Sequence, residues 1–169
     1  MGNIMDYIEW RGDLPFTQSE FNDVDNLILA CFSYVNLDGI QEAASQNGIE
    51  LKALTEKFLQ LHTEKELKED KSFIRFAPFM MLEMAKTERF GQCVIRNYVN
   101  EIVAEEAQQF SAVEICLSDG TSYISSRGTD DTIVGWKEDF NLSTGVVPAQ
   151  ERAVEYLRRI AGSLQAVSY

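Results

Sequence analysis

The sequence predicts an α/β fold: a helical N-terminal part, residues 1–91, packed on a sheet that starts with a β-hairpin at 110–126. Three observations carry this. Before residue 91, apolar residues recur at three- and four-residue steps, the period of a helix with one buried face. From residue 93, β-branched and aromatic residues gather, and Asp119-Gly120 separates two apolar runs, a hairpin signal. After Pro148 the helical period returns. At 169 residues, 45% hydrophobic and 25% charged, the chain reads as a single domain over 1–169 with one core.

The first predicted helix covers 17–35. Thr17 and Glu20 have capping-box spacing, and Phe21, Val24, Leu27, Ile28, Cys31, Phe32 and Val35 form its apolar stripe. Asn36, Asp38 and Gly39 end it. A second helix spans 50–61, with Leu51, Leu54, Phe58 and Leu61 on one face and His62 at its carbonyl pole. The charged stretch Thr63–Ser72 reads as a solvated extension or loop. A third helix runs from Pro78 to Phe90, stopped by Gly91, and its methionines, Met80, Met81 and Met84, read as core packing.

A strand is expected within Val94–Val103. The hairpin strands are Phe110–Leu117 and Ser122–Ser126, joined by a type I′ turn at Asp119-Gly120. A short helix follows around Thr132–Phe140. The last helix opens at Pro148, buries Ala149, Ala153, Val154, Leu157, Ile160 and Ala161, and stops at Gly162.

The net charge of −12 argues against a nucleic-acid partner, since both surfaces would be anionic. No run of about 18 apolar residues is present, so no membrane span is expected. The N-terminus has no basic n-region and no apolar h-region, so no signal peptide is expected. Cys31, Cys93 and Cys116 are far apart with no C-x-x-C, which suits buried thiols in a reducing cytoplasm. With a single histidine, a poly-His zinc site is excluded, and any Ser-His-Asp triad within the chain would need His62. No metal and no cofactor are expected.

The chemically informative segment is Tyr123–Asp139: a strand end, a glycine turn, two acids and a helix start. Such a junction exposes backbone N–H groups, the donors an acyl-transfer enzyme aims at a tetrahedral oxyanion. Gly128 lets the backbone approach a substrate, and Thr129 offers both its N–H and its hydroxyl. Asp130 or Asp131 caps the following helix; as a metal site the pair lacks an evident third ligand. Arg127 has two readings, a pair with Asp139 or Glu138, or a substrate-facing role. Trp136 reads as packing or as a lid-side aromatic. Ser125 and Ser126 sit mid-strand without an elbow or a neighbouring base, which argues against a nucleophile.

The segment resembles the oxyanion-loop region of class 3 lipases, in which a strand ends in an aromatic residue, then Arg-Gly-Thr or Arg-Gly-Ser, then Trp and Asp. Arg127-Gly128-Thr129, Trp136 and Asp139 match it. The wider chain looks closer to a lipase-related bacterial family of α/β-hydrolase-like proteins, through Asn3–Tyr7, Gln109–Ala112, Arg127–Thr132 and Gly135–Phe140. The resemblance implies a sheet of the α/β-hydrolase type, Thr129 in the oxyanion hole, Gly128 as the loop turn, and Arg127, Asp130, Trp136 and Asp139 in support. Two departures stand out. Ser126 replaces the family's aromatic, and Gly-x-Ser-x-Gly, the nucleophile elbow, does not occur in these 169 residues. The expectation is therefore the N-terminal portion of a lipase- or esterase-like serine hydrolase. Its sheet would be incomplete and it would be inactive alone. Its partner would be the missing C-terminal half, or a second copy held through an exposed sheet edge. The alternative is a non-catalytic interaction module that keeps the half-fold.

Overall fold

The computed structural model of the chain describes residues 3–69, 75–103, 108–127 and 148–166. It is a mixed α/β fold. In order, the described elements are α1 (Ile4–Arg11), α2 (Asp23–Phe32), α3 (Gln41–Ala44), β1 (Ile49–Glu50), α4 (Leu51–Leu61), α5 (Glu64–Glu69), α6 (Phe76–Met84), α7 (Glu88–Gly91), β2 (Val94–Val103), β3 (Gln108–Cys116), β4 (Ser122–Ser126) and α8 (Pro148–Ala166). The strands form one open antiparallel sheet in the order β1-β2-β3-β4. The chain divides into two compact units, 1–99 with 112–125 and 100–111 with 126–169.

In the first unit, Asn3 and Asp6 cap α1 reciprocally, and Asn22 and Asp25 cap α2 the same way. The predicted helix over 17–35 is thus shortened at both ends. Asn22 caps it because Asp25 can return a bond to the Asn22 N–H, 3.0 Å, whereas Ser19 and Glu20 offer their carbonyls to Arg89. The helix is also rotated from the predicted stripe. Asp25, Ile28, Leu29 and Phe32 are buried, while Phe21, Val24 and Leu27 are exposed. Buried Asp25 explains the rotation, because its carboxylate pairs with the buried Arg89 guanidinium.

The second predicted helix matches α4, with Leu51, Leu54 and Phe58 buried, but Leu61 is exposed. Its start is also a sheet junction: β1 pairs antiparallel with β2, Ile49 opposite Ile95 and Glu50 opposite Val94. The charged stretch holds α5, capped by Thr63 and Glu66. The third predicted helix is two helices. The Thr87 hydroxyl donates to the Met84 carbonyl, 2.8 Å, and accepts from the Phe90 N–H, 3.2 Å, so it closes α6 and opens α7. Met80, Met81 and Met84 are core, as their spacing implied.

β2 coincides with the expected Val94–Val103. Asn97 within it has φ 54°, in the left-handed region. As a result Ile95 and Tyr98, three residues apart, both join the core, the displacement a β-bulge produces. Between β3 and β4 the register follows from two bonds, Leu117 N–H to the Thr121 carbonyl and Arg127 N–H to the Ser111 carbonyl, each 2.8 Å. The turn is not type I′. Among the described residues Asn97 is the non-glycine with positive φ, so Asp119 keeps an ordinary backbone and only Gly120, φ 88°, is left-handed. The Gly120 N–H donates to Leu117, closing a three-residue loop with a glycine bulge. The Asp119 carboxylate holds it by accepting from the Thr121 N–H and hydroxyl.

In the second unit, α8 opens at Pro148 as expected but runs through Gly162 to Ala166. Among its described side chains Tyr156 and Ile160 are buried; Val154, Leu157 and Ala161 are exposed, and Ala153 is half-buried. Tyr156 packs edge-on against Phe110, ring centroids 5.9 Å apart. Arg152 fastens the helix by a bidentate pair with Glu101 of β2. The helix expected around Thr132–Phe140 and the side chain of Ala149 lie outside the described residues.

Candidate functional site

The oxyanion-type motif begins where β4 ends. Ser125 is buried in the strand and Ser126 is exposed. Arg127, the last described residue of this stretch, is held twice. Its N–H donates to the Ser111 carbonyl, 2.8 Å, and its Nη2 donates to Asn100 Oδ1, 3.1 Å. The strand end that leads into the motif is therefore clamped on β3 by its backbone and on β2 by its side chain. Gly128, Thr129, Asp130, Asp131, Trp136, Glu138 and Asp139 lie outside the described residues, so the Arg127 pairing expected with Asp139 or Glu138 does too. The observed partners, Asn100 and Ser111, were not visible as a sequence motif; their only signal is a place on the two strands that precede the loop.

A second polar cluster sits in the middle of the sheet and went unanticipated. Glu114 of β3 is fully buried. It accepts from Arg96 Nη2 at 2.8 Å, Asn97 Nδ2 at 2.7 Å and the Ser122 hydroxyl at 2.8 Å. Asn97, the left-handed residue of β2, and Arg96 just before it thus converge on one carboxylate. Burial pushes the Glu114 carboxyl up, but the bonds from Arg96, Asn97 and Ser122 outweigh it and hold the group below the ordinary carboxylate range. A carboxylate so held is a poor base, so Ser122 is not activated by it. Beside it, burial pushes the Cys116 thiol up despite its contact with Ser122. The cluster has the chemistry of a sheet staple.

His62 is the C-cap of α4, with its ring against Phe58, centroids 4.5 Å apart. Cys31, Cys93 and Cys116 are all free thiols. Cys93 is buried, and burial pushes its thiol up to about 12, which removes it as a nucleophile near neutral pH. Among the described residues no three His, Cys, Asp or Glu side chains gather as a metal site, and no helix is long and apolar enough to cross a membrane. A cleft of about 440 Å³ lies between α1 and the end of α6, floored by Met5 and Ile8 and rimmed by Glu9, Glu83, Lys86 and Thr87.

A protein-family model described as Mbeg1-like matches residues 84–168, half of the chain. The match takes in β2, β3, β4, the whole Arg127–Phe140 motif stretch and α8. No curated protein and no solved structure matches the chain.

Proposed function

Because the chain belongs to the Mbeg1-like family, we propose that the segment after β4 is the oxyanion loop of a lipase- or esterase-like serine hydrolase. The observation that carries this is the double clamp on Arg127, set at the first residue of Arg-Gly-Thr-Asp-Asp-Thr. An oxyanion hole works only if its donors are held before the reaction, since donors that must reorganise return little transition-state stabilisation. In this reading a serine attacks the ester carbonyl, and the Thr129 N–H and hydroxyl bind the oxyanion that forms. The serine proton passes to a base, likewise from outside these residues, and on to the departing alcohol as the tetrahedral intermediate collapses; water then hydrolyses the acyl-serine. Gly128 gives the close approach, and Asp130, Trp136 and Asp139 support the loop. The serine, on a Gly-x-Ser-x-Gly elbow, is supplied from outside these 169 residues, by further chain or by a second polypeptide. The sheet is then part of an α/β-hydrolase sheet, working in a reducing cytoplasm, which the three free thiols fit.

Assaying the 169-residue chain with p-nitrophenyl esters tests the division of labour. The expected result is background hydrolysis. Turnover that disappears in Ser125→Ala or Ser126→Ala would overturn it.

A second reading is a non-catalytic interaction module. It is favoured by β4, which ends the strand order among the described residues and so offers an edge to a partner strand. A stoichiometric complex with a protein unrelated to hydrolases would favour this reading over the first.

A further inference from the structure

α8 carries two apolar stripes. Tyr156 and Ile160 are buried. Val154 and Leu157, three residues apart on another face, are 45% and 48% exposed. Ala161 continues that stripe one turn on, also exposed. Beside the stripe, Glu151 and Arg158 lie two turns apart, about 10 Å along the axis. Among the described residues neither forms an ion pair, in contrast to Arg152 on the adjoining face, which pairs with Glu101 and Glu155. An exposed apolar stripe between an acid near one end and a base near the other complements itself when the helix is reversed.

We propose that α8 is a self-association surface, and that its occupant is the α8 of a second copy packed antiparallel across a two-fold axis. With the axis midway between Val154 and Leu157, each valine meets the leucine of the other copy. Glu151 of each copy then comes within one turn of the other copy's Arg158. Both ion pairs form at once because the interface is isologous. A parallel pairing would set Glu151 against Glu151 and Arg158 against Arg158, which selects the antiparallel arrangement. One helix face is small beside the roughly 1,000 Å² of a stable interface, so the dimer is weak and depends on concentration. The proposal does not depend on the oxyanion reading.

Sedimentation equilibrium of the chain from about 10 μM to 1 mM, with circular dichroism to confirm folding, tests it. A reversible monomer–dimer equilibrium is expected. Glu151→Arg should raise the dissociation constant about tenfold, because two attractive pairs become repulsive. Glu151→Arg combined with Arg158→Glu should restore it, since the pairs re-form with signs exchanged. Leu157→Asp should leave only monomer. Monomer throughout the range, or a dimer indifferent to Leu157→Asp or to the charge exchange, would overturn the proposal and assign the stripe to another occupant.

Discussion

Arg89 of α7 and Asp25 of α2, sixty-four positions apart, form a buried ion pair in which Nε and Nη2 each bond one carboxylate oxygen. The remaining guanidinium donors go to the Leu14, Ser19 and Glu20 carbonyls, and its face lies over Phe16, 4.0 Å from the ring centroid. The Tyr7 hydroxyl donates to the same carboxylate. One charge pair thus fastens α1, the 12–22 connection, α2 and α7. Burial would lower the Arg89 pKa, but the bonds and charge of Asp25 prevail and hold it above its ordinary value.

Asp25→Ala therefore leaves a buried guanidinium without its counter-charge. The expected cost is about 3–5 kcal/mol, read from urea unfolding. A change below about 1 kcal/mol would mean that the pair is not what joins these elements.

Glu114 gives the protein an acid-sensitive staple. Its carboxyl sits below its ordinary value of 4.5 in the folded chain, so the stability it adds is complete above that value and is lost as pH falls below it. Melting temperature should decline from about pH 4.5 downward. Glu114→Gln should lower stability at pH 7 by about 2–4 kcal/mol and flatten the acid decline, since an amide does not titrate. An acid limb as steep as that of the parent chain would place the titration elsewhere.

Two left-handed glycines should respond differently to alanine. A Cβ at Gly120, φ 88°, meets nothing within 4 Å, so Gly120→Ala costs only the backbone strain, about 1 kcal/mol. A Cβ at Gly48, φ 71°, would come within 2.7 Å of the Ile95 carbonyl and of Val94 Cγ1. Gly48→Ala should cost clearly more, about 2–4 kcal/mol, by displacing β2 where β1 pairs with it. Thermal melts of the two variants compare them directly.

The Arg127–Asn100 bond should appear as coupling. In a double-mutant cycle of Arg127→Ala and Asn100→Ala, the interaction free energy should be about 0.5–1.5 kcal/mol. Additive effects would show that the side-chain clamp does not hold the end of β4.

Local patterns in the sequence located β2, both hairpin strands, α4 and the start of α8 closely. At the start of α2 they missed because a distant residue decides the matter. Thr17 and Glu20 have capping-box spacing as good as that of Asn22 and Asp25, but only Asp25 also meets Arg89, which fixes both the helix start and its rotation. Gly162 is a plausible helix stop, yet no Cβ there would touch anything within 4 Å, and the helix passes through it. The type I′ expectation failed because the Leu117–Gly120 bond builds a three-residue loop in which one left-handed residue suffices. Within the candidate site, the motif marked Arg127, but Asn100, Ser111 and Glu114 act through pairing between strands, which spacing along the chain does not encode. Gly128, Thr129, Asp130, Trp136 and Asp139 rest on the motif alone, being outside the described residues.

In the proposed function Thr129 donates to the oxyanion that forms when a serine from outside these 169 residues attacks the ester carbonyl. The direct measurement is p-nitrophenyl butyrate turnover by the polypeptide extended through the coding sequence following codon 169, in the frame that carries Gly-x-Ser-x-Gly. Thr129→Pro, which removes the backbone N–H, should lower kcat by about 10²–10³-fold with KM little changed. An undiminished kcat would contradict the account.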